Sequence, residues 1–255
     1  MSIILKNTSN AGNFQLINNF NSGNFSLITP PNLITNGLIL YLDAGNQSSY
    51  PGSGSTWYDL SGNNNTGTLI NGPTYNTSSG GFIAFDGIND YVDGGTYTGL
   101  GTSNRTISIW FQIKSISLSG GKRILTLAST SNTNIDTPAF TIGYNTNINS
   151  LSMGFGGSPY NGYMPNTTFT LNSWINIQAS ITSNTLSAYI NGVLIGNYIN
   201  TGGVGSNPIL YLGRYNDFYN QYGDVNISQT LIYNRALSTE EITQNFNATK
   251  GRFGF

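Results

Sequence analysis

Few residues in this 255-residue sequence could do chemistry. It has no histidine, no cysteine and ten acidic residues. That removes Ser-His and Cys-His nucleophiles, thiolate metal sites, disulfides and the commonest metal ligand together. The two glutamates, Glu240 and Glu241, are neighbours near the end of the sequence. Retaining glycosidases hold two carboxyls about 5 to 5.5 Å apart across the scissile bond, and inverting ones about 6.5 to 9.5 Å; no run here alternates Glu and Asp along a strand to build such a pair. The nearest substitutes are Asp86, Asp90 and Asp93, within Phe85 to Asp93. Two aspartates can do acid and base work, but Asp86-Gly87 and Asn89-Asp90 also read as turn residues that cap their own backbone. No glycine-rich phosphate loop precedes a helix. The expectation is a protein that is not an enzyme and requires no cofactor.

Composition narrows the partners. Charged residues make up 7% of the chain and the net charge is −1, so its polarity rests on Asn, Ser, Thr and Gly. With 38% hydrophobic and 13% aromatic residues there is enough apolar surface to offset the entropy of ordering. Nine Lys and Arg are scattered from Lys6 to Arg252 without a basic stripe, which argues against nucleic acid. No segment approaches the roughly 20 apolar residues of a membrane helix, so no membrane insertion is expected. The apolar run near Met1 falls short of the roughly 7 to 15 residues of a signal peptide. An outward-facing role would then follow synthesis in a host cytoplasm and assembly, not secretion.

The elements that must position these groups are mostly strands. Asn10 to Ile17 returns eleven residues later as Asn21 to Ile28, each copy a turn followed by a short strand. Two such units cannot bury their own apolar face. Residues 1–35 read either as a hairpin folded back on the main domain or as an anchor or assembly arm that adds strands to another chain through Phe14, Leu16, Ile17, Phe25, Leu27 and Ile28. Pro30-Pro31 makes a stiff hinge. Residues 36–255 read as one large domain. Ile107, Ile109, Phe111 and Ile113 alternate, as in a half-buried strand, and put Trp110 on the other face. Trp174 to Ile181, Leu186 to Ile190 and Val193 to Ile195 form a meander with a tight Asn191-Gly192 turn; Ile209 to Leu212 and Val225 to Tyr233 are further strands. A helix starts at the capping box Ser238-Thr239-Glu240-Glu241, aligns Ile242 with Phe246 and stops at Gly251. The fold class is all-β: a two-sheet antiparallel jelly-roll sandwich with one short C-terminal helix.

Four segments taken in order carry a resemblance: Trp57 to Leu69, Phe85 to Val92, Ala188 to Gly192, and Ile232 to Ile242. From about residue 37 to 249 the chain resembles the laminin G-like, concanavalin A-like lectin/glucanase superfamily. The opening Gly37 to Asn46 and the ending Gln244 to Gly254 look like versions carried by virion proteins of tailed phages, notably marine and cyanobacterial ones. The resemblance implies two antiparallel sheets packed face to face, with ligand sites on a concave face or at the loop rim, where many relatives bind Ca²⁺. Asp43, Asp59, Asp86 and Asp90 could supply hard oxygens for Ca²⁺, or could only close turns. Ser228-Gln229 stands where relatives often carry an acidic pair. Trp57, Phe85, Tyr91, Trp110, Trp174 and Tyr233 read as sandwich core. Tyr160, Tyr163, Tyr215, Phe218, Tyr219 and Tyr222 lie in Gly- and Asn-rich loops, where they could stack on sugar rings or instead cover loop bases or a subunit contact. The expected role is a virion surface protein, either a capsid decoration or a fibre-like display module, partnered by capsid or tail proteins and with weak adhesion to cell-surface glycans. Self-association is expected, as a trimer by analogy. The alternatives are a carbohydrate-binding tail module and a sandwich glycoside hydrolase.

Overall fold

The computed structural model describes residues 15–18, 25–28, 30–97, 100, 104–116, 121–128, 140–147, 149–155, 167–183, 185–199, 207–215 and 221–255. In chain order the first strands among these are β1 (Gln15–Asn18), β2 (Phe25–Ile28), β3 (Leu38–Asp43), β4 (Thr56–Trp57), β5 (Gly67–Ile70) and β6 (Thr74–Asn76). Then come β7 (Phe82–Ala84), β8 (Tyr91–Thr96), β9 (Arg105–Ile113), β10 (Gly121–Ala128), β11 (Phe140–Asn145) and β12 (Ser150–Phe155). The series closes with β13 (Ile175–Ile181), β14 (Thr185–Ile190), β15 (Val193–Ile199), β16 (Ile209–Leu212), β17 (Val225–Tyr233) and the helix α1 (Thr239–Thr249).

The strands make two antiparallel sheets. The smaller runs β12-β11-β10-β16-β8-β5-β4; the larger runs β15-β14-β13-β9-β17-β7-β6, with β3 also paired to β17. The hairpin β1–β2 forms a separate two-stranded sheet. Alternation along each strand decides what faces what. Ile107, Ile109, Phe111 and Ile113 of β9 are fully buried with Ile177 and Ala179 of β13, against Leu125, Leu127, Ile142, Leu210 and Leu212 of the smaller sheet. The expected all-β sandwich with one C-terminal helix is therefore present.

The other face of the larger sheet is buried too. Trp110 and Trp174 were expected between the sheets; they lie instead on this outer face, in a cluster with Phe82, Phe246 and Phe253. Tyr233 joins Tyr189, Leu231, Leu237 and Ile242 there. The cause is α1 and the 3₁₀ turn Lys250–Phe253, which roof the sheet. Trp110 stacks on Phe253 at 4.1 Å and on Phe246 at 5.7 Å. Its Nε1 donates to Thr249 Oγ1 at 2.9 Å. Polar side chains on the same face are held by the roof: Gln178 Nε2 donates to the Ile242 carbonyl at 3.1 Å and Ser180 Oγ to the Leu237 carbonyl at 2.8 Å. Trp57 and Phe85 are in the inter-sheet core as expected. Tyr91 is half-buried; alternation puts it opposite the buried Val92, on the outer face of the smaller sheet.

The capping box forms as expected, with Ser238 Oγ accepting from Glu241 N and Glu241 Oε2 accepting from Ser238 N. The helix does not stop at Gly251. It tightens into the 3₁₀ turn, and Gly254, at φ 88°, is the left-handed terminator, because Phe253 must stay in register to reach Trp110. Arg252 extends from this turn to Asp43 and to the Gly81 carbonyl, pinning the roof to β3. Arg235 makes a two-pronged contact with Glu241, at 2.7 and 2.6 Å.

Trp110→Ala removes the ring under two phenylalanines and is expected to cost about 3 to 5 kcal/mol, read as a lower midpoint in urea unfolding; an unchanged midpoint would mean that the roof contributes nothing to the fold. The hydrogen bonds from Arg235 hold the Glu241 carboxyl down to about 2, against an ordinary 4.5. A carboxylate whose folded value is depressed stabilises above its unfolded value, and that stabilisation is lost as pH falls from about 4.5 towards 2. Glu241→Gln should therefore flatten the acid limb of a stability-versus-pH curve across that window, and an unaltered limb would show the pair to be inconsequential.

Candidate functional site

The candidate calcium ligands do not converge. Among the described residues, no three His, Cys, Asp or Glu side chains gather around one point. Asp43 is buried and accepts from Gly45 N, Gln229 Nε2, Tyr41 Oη and Arg252. Asp59 accepts from Tyr41 N and Ser61 N through Oδ1, and from Ser61 Oγ and Asn65 N through Oδ2. In the same loop Asn63 Nδ2 donates to the Leu38 carbonyl and Asn65 Nδ2 to the Ile39 carbonyl. The loop thereby covers the edge of β3 that β17 leaves open, a standard way to keep a strand edge from pairing with other chains. Ser228 and Gln229 serve the same Asp43–Arg252 contact: Ser228 Oγ accepts from Arg252 Nη2 and Gln229 donates to Asp43 at 3.1 Å.

Asp86 and Asp90 close a turn. Asp86 Oδ1 accepts from the backbone N–H of Ile88, Asn89 and Asp90, and Asp90 Oδ2 accepts from Asp86 N at 3.1 Å. Burial works to raise the Asp86 carboxyl, and those three N–H groups outweigh it, leaving the group below the ordinary carboxylate range. Burial, then the Asp86 charge, pushes Asp90 up. Opposed shifts of this kind are what an acid–base pair needs, but here Asp86 Oδ1 and Asp90 Oδ2 are each held by backbone N–H groups of the turn. Asp93 Oδ1 caps Gly95 N at 2.8 Å.

Of the aromatic platform, Tyr160, Tyr163, Phe218 and Tyr219 lie outside the described residues. Tyr222 is half-buried. Tyr215 is buried rather than presented to solvent, 2% exposed, with the Arg123 guanidinium 5.2 Å from its ring centre. Next to it Arg214 is sandwiched between Tyr91 and Tyr211, at 4.0 and 4.1 Å from the ring centres. In both cases an arginine covers one face of the ring. In the arm, Phe14 lies outside the described residues, while Leu16, Ile17, Phe25, Leu27 and Ile28 fall within β1 and β2.

A concavity that no sequence signal announced lies at the side of the sandwich where β12, β13 and the β14–β15 turn come together. It is a groove open to solvent, of about 330 Å³. Its polar lining is Thr167, Thr168, Thr170, Ser173 and Asn191, and its apolar lining includes Phe169, Trp174, Ile190, Ile195 and Phe255; no charged side chain contributes. Phe255 is 51% exposed and is held at 5.6 Å from Trp110 and 5.7 Å from Phe246. Asn191 sits at φ 49° in the hairpin turn expected at Asn191-Gly192. Its Oδ1 accepts from Asn176 N at 2.8 Å, which leaves the NH₂ as its donating group. A Cβ on Gly192 would fall 2.7 Å from the Phe246 ring, so only glycine lets this turn sit against α1. An exposed ring beside hydroxyl- and amide-bearing residues, with no charged side chain, suits a neutral polar ligand that has one apolar face.

A family model described as the concanavalin A-like lectin/glucanases superfamily matches residues 86–243. No curated protein matches the chain in sequence. Trypanosoma rangeli sialidase, in complex with sialic acid, superposes with a TM-score of 0.66 at 16% identity, over 86% of this chain and 34% of the sialidase; the chain thus spans about a third of that protein. Domain 4 of AbnA, a GH43 extracellular arabinanase from Geobacillus stearothermophilus, in complex with arabinotriose, superposes with a TM-score of 0.62 at 18% identity, over 82% of this chain and 97% of that domain. The binding domain of Paraclostridial Mosquitocidal Protein 1 does so with a TM-score of 0.57 at 18% identity, over 83% and 52%. These likenesses are of fold. With the family model covering more than half of its residues, and with its two stacked antiparallel sheets, the chain belongs to the concanavalin A-like lectin/glucanases superfamily.

Proposed function

We propose that this chain is a non-catalytic carbohydrate-binding module that holds a neutral saccharide in the groove beside Phe255, and that a virus particle displays it on its surface. The observation that carries the binding reading is the groove: Thr167, Thr168, Thr170, Ser173 and Asn191 around an exposed phenylalanine, with no charged side chain in the lining. Sugar hydroxyls exchange hydrogen bonds with such groups, and the apolar face of a pyranose or furanose packs on a ring. The arabinanase domain of nearly the same extent, whose structure contains arabinotriose, makes neutral oligosaccharides the first ligands to try. The non-catalytic reading rests on carboxylates that are spent on turns and on the Arg252 and Arg235 contacts. The virion reading rests on Gly37 to Asn46 and Gln244 to Gly254, which look like phage virion versions.

A neutral-oligosaccharide array probed with the purified protein should show binding, reduced about tenfold by Phe255→Ala. Asn191→Asp keeps the acceptor for Asn176 N, replaces the donor with a charge, and should weaken binding by a similar factor with an unchanged melting temperature. Equal binding by both variants would remove the groove from the reading. Release of reducing ends that is lost in Asp90→Asn would replace the module with an enzyme. Antibody raised against the protein should label intact particles of the virus that encodes it; labelling of infected cells but not of particles would end the virion reading.

A further inference from the structure

The sequence contains four Asn-Gly pairs, beginning at Asn36, Asn71, Asn161 and Asn191; Asn161 lies outside the described residues. In such a pair the backbone nitrogen of the glycine can attack the side-chain carbonyl carbon of the asparagine, because glycine has no side chain to obstruct the approach and the two groups are already held in one molecule. The three described pairs have nearly the same local sequence: Thr35, Ile70 and Ile190, all β-branched, precede them. Differences in reactivity between them must therefore come from the fold.

At two of the pairs the fold holds the amide. Asn191 Oδ1 accepts from Asn176 N, and Asn191 N donates to the Asn176 carbonyl, both at 2.8 Å. Asn71 Nδ2 donates to the Asn89 carbonyl at 2.8 Å. Asn36 differs: it is exposed, and among the described residues no hydrogen bond holds its side chain. Its turn is closed by Leu38 N, which donates to the Thr35 carbonyl at 3.1 Å, so the Gly37 N–H is not spent on the turn. The turn also requires the glycine, since Gly37 has φ 78° and a Cβ there would fall 2.9 Å from Asn234 Oδ1 and 3.0 Å from Arg235 Cγ. Arg235 Nε donates to the Asn36 carbonyl at 3.0 Å, which puts a guanidinium beside a reaction whose transition state is anionic.

We propose that Asn36 is a site of spontaneous deamidation, and that the fold makes it react ahead of Asn71 and Asn191. The Gly37 nitrogen loses its proton to hydroxide and bonds to Asn36 Cγ. The Cγ–Nδ2 bond breaks, and the amide nitrogen leaves as ammonia after taking a proton from water, which closes a succinimide ring. Water then opens the ring at either carbonyl, giving aspartate or, with the backbone routed through the side chain, isoaspartate. Either product places a new carboxylate beside Arg235, which already holds Glu241 at the start of α1, and isoaspartate also lengthens the backbone just before β3. Residue 36 is not part of the groove lining, so the inference is independent of glycan binding.

Peptide mapping by mass spectrometry tests it, on the full chain incubated at mildly alkaline pH, with enzymatic methylation of isoaspartate to mark the ring-opened product. In the folded protein residue 36 should deamidate about fivefold faster than residues 71 and 191, the factor that one side-chain hydrogen bond is worth. In urea, where no fold restrains any of them, the three rates should converge. An Asn36 that stays intact in the folded protein would overturn the proposal. So would residue 71 or 191 reacting as fast as residue 36 in the folded protein, or the same ranking persisting in urea.

Discussion

Trp110 is the residue on which the back of the molecule closes. Strand alternation that turns Ile107, Ile109, Phe111 and Ile113 towards the smaller sheet necessarily turns Trp110 away from it. Left uncovered, an indole in the middle of a sheet would expose a broad apolar face. Phe253 at 4.1 Å and Phe246 at 5.7 Å cover it, so the last seventeen residues, from Thr239 on, are part of the fold. With both faces buried, the larger sheet becomes a middle layer. That explains why β13 and β17 are buried along their whole length although half of their side chains are polar. Asn176 Nδ2, Gln178 Nε2 and Ser180 Oγ donate hydrogen bonds on this face, while the buried Asn176 Oδ1 and Gln178 Oε1 accept none, each an unmet acceptor that costs about 1 to 3 kcal/mol.

The same roof reaches across to the other end of the chain. Arg252 joins Asp43, the Gly81 carbonyl and Ser228, and Tyr233 Oη donates to the Ile34 carbonyl at 2.9 Å. The motif residues are thus mostly structural. The Trp57 to Leu69 segment covers the edge of β3, the Phe85 to Val92 segment closes the Asp86–Asp90 turn, and the Ile232 to Ile242 segment caps α1 and pairs Arg235 with Glu241. In a chain with so few charges, nearly every carboxylate described has a backbone or arginine partner. Groups that are spent in this way are poor candidates for chemistry, which leaves shape and neutral polarity as the means of recognition.

That balance suits a display module. Under the proposed reading a single groove of this kind would bind weakly, and several copies on one assembly would add their effects through effective concentration.

Much of the fold was legible in the residue pattern. The period-2 runs at Ile107 to Ile113 and Val225 to Tyr233, the Asn191-Gly192 turn and the Ser238–Glu241 capping box are local signals, set by backbone sterics and by hydrogen bonds a few residues long. The absence of His and Cys likewise limits chemistry whatever the fold. The side on which Trp110 and Trp174 are buried was not legible, because alternation separates two faces without saying what covers each. Nor was the fate of Tyr215, since its arginine partner is 92 residues away in the sequence. The groove was invisible for the same reason: Leu151, Thr167, Asn191 and Phe255 share no spacing along the chain and become neighbours only when β12, β13 and the β14–β15 turn are stacked. The sequence by itself determined the strands, the turns and the chemistry that is excluded, because these depend on neighbouring residues; the tertiary structure alone decided which aromatics are covered and where a ligand could sit, because those depend on contacts between residues far apart in the chain.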